Sequence, residues 1–169
     1  MEKIRGRVWK FGDNIDTDQI IPSKYCTTFK PEELGPYAMC GVDSGFGHRV
    51  ALGDIIVAGK NFGCGSSREA APLALKASGL SAVIANSFSR LFLRNAVNIG
   101  LRLFISPSAS EGLRQGAEIE IDEILNVVRC KTTGTVYRID PFKGIIREII
   151  DRGGMINYVK HQLAEESKH

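Results

Sequence analysis

The stretch Asp54-Ile55-Ile56-Val57-Ala58-Gly59-Lys60-Asn61-Phe62-Gly63-Cys64-Gly65-Ser66-Ser67-Arg68-Glu69 reads as a crossover from strand to helix. Its first five residues are short, apolar and partly β-branched, the composition of a buried strand. Gly63 and Gly65 let the chain turn sharply and leave no Cβ between the backbone and a ligand. Ser66 or Ser67 is placed to cap a helix, and Glu69 follows Ser66 at the spacing of a capping box. The first N–H groups of a helix lack internal partners and lie at the positive end of its dipole, so they suit an anion. Arg68 adds a planar fork of donors matched to a carboxylate. From residue types alone, a glycine-rich turn with a capping serine and a surface arginine is the competing reading. The usual nucleotide loops do not fit, because the Gly-Lys-Ser/Thr ending and the dinucleotide glycine pattern are missing.

Working outward, Ala70 to Ala77 continues a helix of small residues, with Pro72 in its first turn and Ser78-Gly79 as its stop. Ala82-Val83-Ile84-Ala85 is a second buried strand, so strand, helix and strand predict a right-handed parallel crossover. Ser87 to Gly100 has a serine start and a glycine stop and places Leu91, Phe92, Asn95 and Ile99 on one side. Leu101 to Ile105 is a third strand, ended by Ser106-Pro107. Upstream, Gly6 to Phe11 alternates as a half-buried strand. Downstream, Glu118 to Ile121 and Asn126 to Cys130 read as antiparallel partners, with Thr135 to Arg138 as a third, completing a barrel-like layer. Lys143 to Ile150 and Met155 to Leu163 are helical, separated by Gly153-Gly154, and the charged tail Ala164 to His169 is expected to fray. The fold class is α/β: one β/β/α domain over residues 1–169, with a partly parallel sheet, flanking helices and an added antiparallel β layer.

A chain of 169 residues suits one domain with a real core. Hydrophobic residues at 43% and charged residues at 24% are ordinary globular values. No apolar run approaches a membrane span and Met1-Glu2-Lys3 leads into no signal-peptide core, so the expected location is cytoplasmic, with no membrane partner. A net charge of +3, from 22 basic and 19 acidic residues that form no stripe, gives no case for nucleic acid. Cys26, Cys40, Cys64 and Cys130 are far apart, carry no Cys-x-x-Cys pair, and are expected to be free thiols that bind no metal by themselves.

Asp13, Asp16 and Asp18 crowd into Gly12-Asp13-Asn14-Ile15-Asp16-Thr17-Asp18-Gln19-Ile20-Ile21-Pro22. A calcium loop needs a glycine and a terminal glutamate that this segment lacks, and turn chemistry accounts for Asp13 and Asn14. Pro22 to Phe29 reads as a loop leading to a short helix that starts at Pro31. His48, in the glycine-rich stretch between Gly35 and Gly53, could titrate near neutrality, but a lone histidine in such a loop is more often solvated.

Three segments in order, FGDNIDTDQIIP, NFGCGSSRE and NSFSRLFLRNAVNIGL, resemble the small subunit of isopropylmalate isomerase, a family that matches the swivelling domain of aconitase. The resemblance runs from about Ile4 to about Tyr158. It implies a dehydration and rehydration that moves a hydroxyl between adjacent carbons of an alkyl-substituted malate, as in leucine biosynthesis. By this resemblance Ser66 is the base, acting as an alkoxide, Arg68 steadies it and grips a substrate carboxylate, and Asp18 is an acidic residue of the active site, with Asp16 and Thr17 of the same Asp-Thr-Asp motif carried over beside it. Ser67, Gly65 and Arg90 would contact the substrate, as would Tyr25, Cys26, Thr27 and Thr28 of a recognition loop. Ser87 would face the site rim, and Asn95 would make a structural hydrogen bond.

Homoaconitase-like relatives place an arginine where Thr27 stands. A substrate carboxylate left without a cation in a closed site costs several kcal/mol, on the order of a broken ion pair, so Thr27 disfavours a tricarboxylate. Cys26 departs from the leucine usual after the tyrosine, which leaves 2,3-dimethylmalate open as an alternative to 3-isopropylmalate. The resemblance further implies a [4Fe–4S] cluster on a separate large subunit, none bound by this chain, and activity only in the heteromer, with self-association of the isolated chain possible. Outside the enzyme class, the same elbow could serve a stand-alone module binding a small carboxylate.

Overall fold

The computed structural model describes residues 3–167. In chain order the elements are β1 (Ile4–Lys10), α1 (Thr17–Ile20), α2 (Pro31–Leu34), α3 (Phe46–Arg49), β2 (Ile55–Ala58), α4 (Ala70–Ala77), β3 (Ala82–Ala85), α5 (Arg90–Asn98), β4 (Arg102–Ile105), α6 (Pro107–Gly112), β5 (Glu118–Asp122), β6 (Val127–Cys130), β7 (Val136–Arg138), α7 (Gly144–Asp151) and α8 (Met155–Glu166). Short 3-10 turns cover Ser23–Tyr25 and Gly35–Tyr37.

The strands form one seven-stranded sheet in the order β4-β3-β2-β1-β5-β6-β7. The β4-β3-β2-β1 half is parallel and the β1-β5-β6-β7 half antiparallel. Every residue of β2 and β3 is buried, which is why these strands read as unbroken apolar runs. Their side chains divide between two cores. Ile56, Ala58, Val83 and Ala85 meet Ala74 and Leu75 of α4 and Phe92 of α5 on one side. Ile55, Val57, Ala82 and Ile84 meet Ala109 of α6 and Ile119, Ile121 and Val128 of the antiparallel strands on the other. The sheet curls far enough that the Asp140 N–H, just past β7, donates to the Ile105 carbonyl at the end of β4, at 2.8 Å. The expected barrel-like layer is thus a curled sheet with one bridge across its opening.

Two helix starts differ from the sequence reading. The helix after the central turn begins at Ala70, with Glu69 as N-cap and no side-chain cap, so Ser66 and Glu69 form no capping box. Ser66 is instead drawn back onto Thr17, and the turn needs its four residues after Gly65 to climb to the helix. The capping box lies upstream: Asp16 accepts from the Gln19 N–H while the Gln19 side chain accepts from the Asp16 N–H. α5 is capped by Ser89, not Ser87. At the C-terminus α8 carries on past Leu163 to Glu166, through part of the tail expected to fray. His169 and its neighbour at 168, like Met1 and Glu2, lie outside the described residues.

Candidate active site

Ser66, Arg68 and Asp18, singled out from the sequence, come together where the Asn61–Glu69 elbow meets the Asn14–Ile21 segment. Two backbone bonds join them, from the Gly63 N–H to the Ile15 carbonyl (2.7 Å) and from the Thr17 N–H to the Cys64 carbonyl (2.9 Å). The other flank is tied to the start of α5. The Phe62 N–H donates to the Ser87 carbonyl, the Ser89 N–H to the Phe62 carbonyl, and Ser89 Oγ to the Gly63 carbonyl at 2.7 Å. Gly63 has φ +78°, and a Cβ there would lie 2.2 Å from Phe92 Cγ. Only glycine fits, and the elbow is pinned into the helical core at that point.

Ser66 is exposed, and its Oγ lies 2.9 Å from Thr17 Oγ1, while its N–H donates to the same Thr17 oxygen at 3.2 Å. Arg68 folds back across α1. Its Nη1 donates to Asp18 Oδ1 (2.7 Å), the Ile21 carbonyl (2.7 Å) and, more weakly, the Thr17 carbonyl (3.3 Å). One nitrogen thus anchors the group, and among the described residues Nη2 and Nε make no hydrogen bond. A guanidinium held by one corner keeps its other edge for a carboxylate. Asp18 is the exposed partner of this pair, at 70% against 18% for Arg68. It sits on the rim, and its exposed ion pair contributes little to stability.

The loop from Pro22 to Phe29 reaches the same place through Cys26. Burial pushes the Cys26 thiol up, and the next influences on it are the charges of Arg68, which lowers it, and Asp18, which raises it. Cys26 Sγ is otherwise directed to the Pro22 carbonyl at 3.6 Å. Tyr25 is engaged elsewhere: its ring stacks on Tyr37 at 4.0 Å, with the Lys24 ammonium 4.9 Å from its centroid. It braces the loop. Thr27 is exposed, and Thr28 Oγ1 accepts from the Lys30 N–H, which sets the turn into α2. Asn95 donates to the Ser67 carbonyl at 3.0 Å, the structural hydrogen bond expected of it. Ser87 is spent on the elbow, its Oγ accepting from the Asn61 N–H at 2.9 Å, so its place is in the scaffold. Arg90 is exposed at the first turn of α5, one residue after the serine that holds Gly63.

The three aspartates that suggested a calcium loop point to different partners. Asp13 accepts from the Lys60 N–H, Asp16 caps α1, and Asp18 pairs with Arg68. All four cysteines are free thiols, and among the described residues no three His, Cys, Asp or Glu side chains come together in a metal-binding group. Cys64 takes part through its carbonyl, not its sulfur. The Asp-Thr-Asp motif brought Thr17 into the site beside Asp16 and Asp18 without a role; the structure sets its hydroxyl against Ser66.

The model of the aconitase C-terminal domain family matches residues 39–105, which span the elbow, α4, β3, α5 and β4. The 3-isopropylmalate dehydratase small subunit of Thermodesulfovibrio yellowstonii is 49% identical over 164 residues, 97% of this chain and 98% of that one. This chain belongs to the 3-isopropylmalate dehydratase small-subunit family. The isopropylmalate/citramalate isomerase small subunit of Methanocaldococcus jannaschii is 49% identical over 162 residues, covering 96% of each chain. A crystal structure of 3-isopropylmalate dehydratase from that archaeon matches with a TM-score of 0.95 at 44% identity, over 99% of each chain. The curled, half-parallel sheet is therefore the fold of this dehydratase small-subunit family. The two sequence relatives are small subunits, the lesser part of a heteromer.

Proposed function

We propose that the chain is the proton-transferring half of a hydro-lyase that isomerises 3-isopropylmalate and 2-isopropylmalate by dehydration and rehydration. The convergence of the Ser66 hydroxyl and the Arg68 guanidinium on one exposed rim carries this reading. Dehydration needs a base for a carbon-bound proton and a cation for each carboxylate. Ser66 takes the proton. The free edge of Arg68 clamps one substrate carboxylate, with Ser67 and the Gly65 backbone beside it and Arg90 at the far rim. Thr27 and Cys26 face the alkyl branch, where a neutral lining suits a group without charge.

The leaving hydroxyl needs a Lewis acid. We assign that role to an iron–sulfur cluster on the large subunit, because the thiols of this chain are too scattered to form its ligand set. The test is reconstitution with the large subunit and a panel of isopropylmalate, dimethylmalate, citramalate and homoaconitate-type acids. Turnover is expected for the alkyl malates and only with both subunits present, and Ser66→Ala is expected to lower kcat by about 1,000-fold or more. Near-normal turnover by that variant would remove Ser66 from its role, and a preference for the tricarboxylate would overturn the reading of Thr27.

A further inference from the structure

We infer that Thr17 is a positioning residue whose hydroxyl donates a hydrogen bond to Ser66 Oγ and thereby stabilises the deprotonated form of that serine. The inference deepens the proposed function and rests on Ser66 being the base. The Thr17 and Ser66 oxygens are 2.9 Å apart, and distance alone leaves the direction of the bond open. Burial decides it. Thr17 is 2% exposed, whereas Ser66 is exposed and can give its own proton to water or a ligand. One lone pair of Thr17 Oγ1 takes the Ser66 N–H at 3.2 Å. Among the described residues its single hydroxyl hydrogen has no acceptor other than Ser66 Oγ. Pointing that hydrogen elsewhere would leave a buried donor unsatisfied, so Thr17 donates.

The geometry is held from several sides. The Thr17 N–H is fixed on the Cys64 carbonyl, and Thr17 opens α1 directly after the Asp16 cap. Its β-branched side chain has few rotamers to choose from. Gly65, at φ +96°, lets the hydroxyl come close, since a Cβ there would stand 3.3 Å from Thr17 Oγ1. A donor already in place when charge develops on the serine oxygen requires no reorganisation at that moment.

The test has two arms. In the reconstituted complex, Thr17→Val is expected to lower kcat by about 100-fold or more with KM little changed, and to move the rising limb of the pH–rate profile to higher pH. Thr17→Ser, which keeps the hydroxyl, is expected to recover most of the rate. In the isolated chain, S66C places a thiol at the same oxygen position, and its alkylation rate against pH, followed site by site by mass spectrometry, reports its ionisation. Adding Thr17→Val to S66C is expected to raise that apparent pKa by about one unit or more, while adding Thr17→Ser leaves it near the S66C value. Equal thiol pKa values with valine and threonine, or an unshifted pH profile, would overturn the inference. If Ser66→Ala itself turned over normally, the base assignment would fail instead, and the thiol arm would still decide whether Thr17 is a donor.

Discussion

At the scale of the residue, the site depends on side chains whose positions are fixed by backbone groups some fifty residues away in sequence. Arg68 illustrates this. Its Nη1 is held by two carbonyls and the Asp18 carboxylate, and that fixes the plane of the guanidinium. Arg68→Lys keeps the charge but loses the plane and the second edge, because an ammonium that satisfies the Ile21 carbonyl has no fork left for a substrate. We expect kcat/KM of the complex to fall by about 100-fold or more with little change in Tm, measured by steady-state kinetics and thermal unfolding. The sequence offered Arg68 as a fork of donors beside the elbow, and among the described residues its Nη2 and Nε make no hydrogen bond. Thr17 entered with the Asp-Thr-Asp motif, but its contact with Ser66 was not legible, because it spans 49 positions and no local pattern encodes such a contact. The stacking of Tyr25 on Tyr37 was hidden for a related reason, since Tyr37 lies in a segment that looked irregular.

At the scale of the element, the elbow is a turn gripped by α1 on one flank and the start of α5 on the other. Gly63→Ala brings together two unfavourable terms, a positive φ of 78° and a Cβ 2.2 Å from the ring of Phe92. Phe92 cannot swing aside easily, since it also packs on Phe62 at 5.3 Å and Phe88 at 6.2 Å. The expected loss is about 3 kcal/mol, read from chemical denaturation, and the Ser66–Thr17 contact should loosen with it. The elements themselves were largely legible. β2, β3 and the antiparallel strands appear within a residue or two of their expected bounds, because burial on both faces or on one face leaves a direct mark in composition. Helix starts were less so. Ser66 and Glu69 have the right types and spacing for a capping box, but Thr17 competes for both the hydroxyl and the N–H of Ser66, and the helix starts only at Ala70. Ser87 lost the capping role to Ser89 in the same way, being taken by the Asn61 N–H.

At the scale of the whole molecule, the join between the parallel and antiparallel halves of the sheet holds two buried carboxylates, Glu120 and Asp54. Glu120 of β5 is buried, and Lys3 and then Arg5 hydrogen-bond its carboxylate at 3.0 and 2.9 Å, holding its pKa down to about 2. Its folded-state value lies below the ordinary carboxylate value of 4.5. The unfolded chain therefore takes up the proton first, and the Glu120 contribution is complete above about pH 4.5. It is lost as the pH falls from there towards about 2. Asp54, held down by the Trp9 indole and the Ala51 and Arg7 N–H groups against the cost of burial, adds to stability with the same sign. Both anchor β1, the strand shared by the two halves, so acid is expected to release the halves together in one cooperative transition. Denaturant midpoints between pH 6 and 2 should fall steeply below about pH 4.5 for the unaltered chain. For Glu120→Gln they should start lower at pH 6 and fall less, because the amide has no proton to gain. Equal slopes for the two proteins would show that Glu120 carries no share of the acid lability and that the join is held by its backbone ladder alone.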